Sequence, residues 1–96
     1  SYEGLFDDMY YWAPSGQSGM EVDFVLLRGS DLIAIEVKSG NTFTDAWCKG
    51  LRAIQPLKDL KRSMIVYPQG PEMRTKDGID ILPFRQFADV LASGSL

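Results

Sequence analysis

The sequence predicts an α+β (α/β) fold in which helices pack on a mixed central sheet. Three observations carry that expectation. Short stretches rich in β-branched and aromatic residues alternate apolar with polar positions, as half-buried strands do. Two later stretches change to the helical period. Gly, Pro, Ser and Asp clusters separate the elements, giving the order β-β-β-α-β-β-α with no internal repeat or low-complexity tract.

Residues 9–13 are aromatic and β-favouring, and they end at a turn-rich loop over residues 14–19. Residues 20–27 and 32–38 are two further strands, split by the turn Arg28-Gly29-Ser30-Asp31. After Ser39-Gly40, the spacing of Trp47, Leu51 and Ile54 predicts a helix with Thr44 as its N-cap. Pro56 ends or bends that helix and leaves residues 58–62 as a connector. Residues 64–67 then read as a buried strand closed by Pro68-Gln69-Gly70-Pro71, and residues 78–82 as another. Phe84, Phe87, Ala88 and Leu91 mark a final helix, with Gly94 near its end.

Composition narrows the chemistry. The 96 residues include 13 acids, 10 bases, no histidine and one cysteine. Ser-His-Asp and Cys-His relays and histidine-ligated zinc are excluded. A lone Cys48 forms neither an internal disulfide nor a thiolate cluster, which points to a reducing, cytoplasmic setting. No apolar run is long enough to span a membrane. Residues 1–37 carry seven acids against Arg28 alone, whereas Lys38, Lys49, Arg52, Lys58, Lys61 and Arg62 face only Asp45 and Asp59 over residues 38–62. That basic stretch is compatible with phosphate contacts and equally with a solvated face.

The hairpin over residues 20–38 concentrates the functional signal. A two-residue or a four-residue turn gives the same register, with Asp23 opposite Glu36 and Glu21 opposite Lys38. Strand alternation puts these four groups on one face together with Val25, Ala34, Leu27 and Leu32. Val22, Phe24 and Leu26 then oppose Val37, Ile35 and Ile33 on the other face. Directly opposed carboxylates destabilise a sheet unless a cation, a shared proton or a metal ion neutralises them. Lys38 and Arg28 are the local cations, and an oxygen-rich pair suits Mg2+ or Mn2+. Such a site favours metal-assisted phosphodiester hydrolysis, with the lysine holding a phosphate oxygen or polarising the attacking water. Taken singly, Glu-Val-Asp and Glu-Val-Lys are also ordinary alternations of an exposed strand. Tyr10 and Trp12 are expected toward the carboxylate face, chiefly as packing residues. Cys48 is expected to act as a small hydrophobe.

Gly19-x-Glu21-Val22-Asp23-Phe24 followed by Ile35-Glu36-Val37-Lys38 resembles the PD-(D/E)xK nuclease signature. Together with Tyr11-Trp12, Val66-Tyr67-Pro68 and Leu82-Pro83 before an amphipathic helix, the ordered set more closely resembles the C-terminal nuclease-like domain of bacterial and archaeal AAA+-type ATPases. The resemblance covers roughly residues 10–92. It implies a restriction-endonuclease-like fold. It makes Asp23 and Glu36 metal ligands with the Val37 carbonyl as a third, Lys38 the catalytic lysine, and Glu21 a group at or just behind the ion. Asp23, Glu36 and Lys38 are thus the catalytic candidates.

Two departures stand out. The wider nuclease family often adds an acid from a helix before the first strand, and only Glu3 is available here. No phosphate loop of the Gly-x-x-x-x-Gly-Lys-Ser/Thr type occurs, so residues 1–96 are expected to be one nuclease-like domain, the C-terminal piece of a longer ATPase. ATP would bind only in its preceding part. Nucleic acid and that ATPase domain are the expected partners. A nucleic-acid-binding module without cleavage and a docking or regulatory domain are the alternatives.

Overall fold

The computed structural model describes residues 6–13, 21–57, 59–94 and 96. The loop predicted over residues 14–19, Met20, Glu3 and Lys58 lie outside the described residues. The alternating stretches form β1 (Asp8–Trp12), β2 (Val22–Arg28), β3 (Asp31–Val37), β4 (Leu60–Tyr67), β5 (Met73–Arg74) and β6 (Ile79–Pro83). A 3-10 helix, Asp45–Cys48, leads into α1 (Lys49–Ile54), and α2 (Phe84–Ser93) follows β6. The strands make one six-stranded mixed sheet in the order β1-β2-β3-β4-β6-β5. Pairs β3–β4 and β4–β6 are parallel, and the others are antiparallel.

The β2–β3 hairpin turns as expected at Gly29-Ser30. Arg28 pairs with Asp31, and Gly29 adopts φ 63°, the left-handed backbone that a two-residue hairpin turn requires. The parallel strands β3, β4 and β6 carry apolar side chains on both faces, because each face is covered. On one face Ala34, Ile65, Ile79 and Ile81 pack under Cys48, Leu51 and Ile54 of the first helical segment. On the other, Leu26, Ile33, Ile35, Met64, Val66 and Leu82 pack with Phe87, Val90 and Leu91 of α2. α2 meets β4 and β6, and beside it the same face opens into an apolar groove of about 280 Å³ walled by Phe24, Leu26, Ile35 and Val37.

Four expectations are corrected. The sheet has one more strand than predicted, because two-residue β5 is too short for alternation to mark. β4 begins at Leu60, four residues before the predicted start. Lys61 and Arg62 look like connector residues, but Asp31 lies 3.6 Å from Lys61 Nζ and Asp80 lies 3.1 Å from Arg62 Nε. Neighbouring strands thus neutralise the charges that disguised this one. Thr44 precedes the helical segment in extended conformation but makes no side-chain cap bond, and the first turn is 3-10. Finally, Phe84 is 60% exposed, so the half-buried, packed stripe of α2 runs through Phe87, Val90 and Leu91 instead. Gly94 does end the helix, its N–H bonding back to the carbonyls of Val90 and Leu91.

Among the described residues, no helix is long and apolar enough to cross a membrane.

Candidate functional site: an acid pair at a bulged hairpin

Pairing of β2 with β3 runs from Arg28–Asp31 to Phe24–Ile35 and stops one step before Asp23 and Glu36. The cause lies in β1. Tyr10 pairs with Val25 and Trp12 with Val22, so Tyr11 alone stands across from two residues, Asp23 and Phe24. This is a β-bulge, which locally bends a strand and re-aims its side chains. It also corrects the predicted placement of Val22. The extra residue inverts the alternation, and Val22 joins Trp12, Val25 and Ala34 in the core under α1 rather than the face of Phe24 and Leu26.

At the bulge, side chains take over from the ladder. Asp23 N–H donates to Glu36 Oε1 at 3.1 Å, and Val37 N–H donates to Asp23 Oδ2 at 2.9 Å. Each carboxyl therefore clasps the other strand's backbone. Lys38 is anchored by its own N–H, which donates to the Val66 carbonyl of β4 at 2.9 Å. Its Nζ lies 3.7 Å from Glu36 Oε2. Three of the predicted site residues, Asp23, Glu36 and Lys38, are thus brought together, with the Val37 backbone held between them.

Glu36 is only 7% exposed. Burial pushes its carboxyl up to about 7, reinforced by a hydrogen bond and charge repulsion from Asp23. Lys38 and the Asp23 N–H pull the other way without cancelling this. Near neutral pH the Glu36 carboxyl therefore keeps its proton in part of the population.

The remaining predicted residues fall out differently. Glu21, just before β2, is expected opposite Lys38, but the lysine turns to Glu36 instead. Arg28 cannot neutralise the pair, because it lies at the turn end of the hairpin and donates to the Leu96 carbonyl at 3.0 Å. Of the basic candidates, Arg52 is held between Asp45 and Asp77, while Lys61 and Arg62 face acids of neighbouring strands. Sequence reasoning misses Tyr11. Its hydroxyl is pushed up by loss of hydration and then by the charges of Glu21, Asp23 and Glu36, whereas Tyr10 responds to Asp8. The place of Tyr11 beside Trp12 in the motif gives it no role, and its position across from Asp23 follows from the β1–β2 register.

No group of three or more acidic, cysteine or histidine ligands gathers among the described residues. The oxygen donors are two carboxyls, each with one oxygen committed to a backbone N–H, and nearby carbonyls. Such a hard, sparse set fits an ion like Mg2+, which keeps several of its waters.

Fold and site together define an α+β domain with an acid pair, one member buried, and a lysine on adjacent strand ends. Within that class, the chain belongs to the family described as Domain of unknown function (DUF4143), whose model matches residues 2–87. It is a domain typically found in the C-terminal regions of AAA-type ATPases. No curated protein and no solved structure matches the chain.

Proposed function

We propose that this is a nuclease-like domain with a restriction-endonuclease-like fold that hydrolyses phosphodiesters of nucleic acid with Mg2+ or Mn2+. It would be the cytoplasmic, C-terminal domain of an ATPase whose ATP site lies in the preceding part. The observation that supports this most is the convergence of Asp23, Glu36 and Lys38 around one backbone segment. Two acids in contact, one of them pushed well above the ordinary carboxylate range, make a site that a divalent cation would relieve.

Asp23, Glu36 and the Val37 carbonyl would hold the ion, with Glu21 just behind them. When bound, the ion supplies Lewis acidity toward water and phosphoryl oxygen. Lys38 is the group placed to hold a phosphate oxygen or polarise the attacking water, because its backbone is fixed to β4 while its side chain stays partly exposed. The backbone clasps formed by Asp23 and Glu36 keep both carboxyls oriented before substrate arrives.

A second reading is a catalytically silent module that binds nucleic acid or docks to its own ATPase domain. It is favoured by the lack of a third acidic ligand among the described residues. One assay separates the two. The parent protein is incubated with single- and double-stranded DNA and RNA in Mg2+, Mn2+ or chelator. We expect cleavage with metal only, reduced on the order of 100-fold in Asp23→Ala and Lys38→Ala, the loss typical of one electrostatic group at a reacting centre. Absence of cleavage under every condition, or cleavage indifferent to both substitutions, leaves the silent reading.

A further inference from the structure

Tyr11 is absorbed neither by the cores nor by the acid site. Trp12 packs under α1, but Tyr11 belongs to neither hydrophobic cluster and is 65% exposed. The bulge gives it a particular neighbourhood. Because Tyr10 pairs with Val25 and Trp12 with Val22, Tyr11 stands directly across from Asp23-Phe24. Phe24 is itself exposed, and Val37, the residue clasped by Asp23, is exposed as well. One aromatic side chain with free ring surface, Tyr11, therefore stands across from one of the two carboxyls. The register alone sets the ring's neighbourhood: Tyr11 lies across from Asp23, whose carboxyl accepts the Val37 N–H next to Glu36.

At 65% exposed and outside both hydrophobic clusters, Tyr11 contributes little to folding. It does offer a flat apolar surface across the strand pair from Asp23. Bases stacked inside a duplex have no free face to offer such a ring. Unpaired bases do, and base-aromatic stacking is tolerant of sequence.

Resting on the proposed nuclease function, we infer that Tyr11 is a specificity-determining residue that stacks an unpaired base next to the Asp23–Glu36 site, making single-stranded nucleic acid the preferred substrate. The ring, and not the hydroxyl, is the working part.

The test uses the full chain in Mn2+, with a fluorescein-labelled single-stranded oligonucleotide and a blunt duplex of the same sequence, followed by anisotropy. We expect the single strand to bind at least about 10-fold more tightly than the duplex, and Tyr11→Ala to lose about 10-fold in single-strand affinity, the scale of one base stack. Tyr11→Phe and Tyr11→Trp should keep affinity within about twofold. A 2-aminopurine placed in the single strand should be quenched by the wild type and by Tyr11→Phe but not by Tyr11→Ala. Thermal melting should leave Tyr11→Ala unchanged, since the ring is not packed.

Equal affinity for duplex and single strand, no binding of either, or a Tyr11→Phe loss as large as that of Tyr11→Ala would overturn the inference. Its fate is separable from that of the hydrolytic reading. Tyr11-dependent single-strand binding without cleavage supports the inference and defeats hydrolysis. Cleavage that needs Asp23 and Lys38 but ignores Tyr11→Ala and strandedness does the reverse.

Discussion

Glu36→Gln should be more stable than the wild type at pH 8 by about 3 kcal/mol, and within about 1 kcal/mol of it at pH 5. The sign follows from the direction of the shift. The Glu36 carboxyl rises from an ordinary value of 4.5 to about 7 in the folded chain, so folding favours its protonated form. That contribution is fully present below pH 4.5 and is lost as pH rises through 7. Gln keeps the oxygen that accepts the Asp23 N–H, and its amide can donate to the Asp23 carboxyl where the protonated acid would. It therefore mimics the low-pH state at every pH. Urea unfolding of both proteins at pH 5, 6.5 and 8 reads the difference directly, and other carboxyls cancel in the comparison. For a domain of this size the gap at pH 8 corresponds to a melting shift of roughly 10–20 °C. Two curves that run parallel across the range would show that Glu36 holds no proton in the folded state. Manganese extends the same measurement to the proposed function. If the pair binds a cation, the metal should stabilise the wild type at pH 8, where Glu36 is ionised, more than at pH 6. It should do little for Glu36→Gln at either pH.

The hairpin that carries this pair is legible in the sequence because its register is fixed locally. A turn at Gly29-Ser30 determines every partner from Arg28–Asp31 to Phe24–Ile35, and nothing distant can shift it. Asp23, Glu36 and Lys38 are therefore grouped by sequence position and strand alternation alone. The face on which they sit is harder to read. The bulge opposite Tyr11 depends on where β1 pairs, a register that no short turn adjacent to the pairing fixes in the sequence. As a result, simple alternation assigns Val22 to the wrong core and passes over Tyr11. Charge hides the start of β4 in a similar way. Lys61 and Arg62 read as solvent-seeking until Asp31 and Asp80 are known to lie beside them. Periodicity also says little about α2, where Phe84 fits the helical stripe by spacing yet points to solvent. Local chemistry is readable wherever its partner is close in sequence. It fails wherever the partner comes from another strand.

Gly70→Ala should lower the unfolding free energy by about 3 kcal/mol, combining backbone strain with steric overlap. Gly70 sits just after β4 at φ 145°, a region that side-chain-bearing residues rarely adopt. A Cβ there would stand 2.5 Å from the Tyr67 hydroxyl oxygen and 2.8–2.9 Å from the ring carbons behind it. Tyr67 cannot retreat. It is fully buried, its hydroxyl donates to the Pro71 carbonyl, and its ring meets Trp47 edge-on with centroids 5.9 Å apart. Trp47 in turn is braced by Phe43, so movement of the tyrosine would disturb the whole wall under the first helical segment. A double-mutant cycle with Tyr67→Leu separates the two contributions. The strain at φ 145° persists on either background, whereas the overlap disappears with the ring. The cost of Gly70→Ala should thus fall by about half in Tyr67→Leu, and full additivity would rule out the steric part. The same lesion should reach the site. Val66, next to Tyr67, accepts the Lys38 N–H, so loosening this end of β4 should speed hydrogen exchange at the Lys38 amide while leaving the turn at Gly29-Ser30 unchanged. The position of the lysine is in this sense set by a glycine 32 residues away in the sequence.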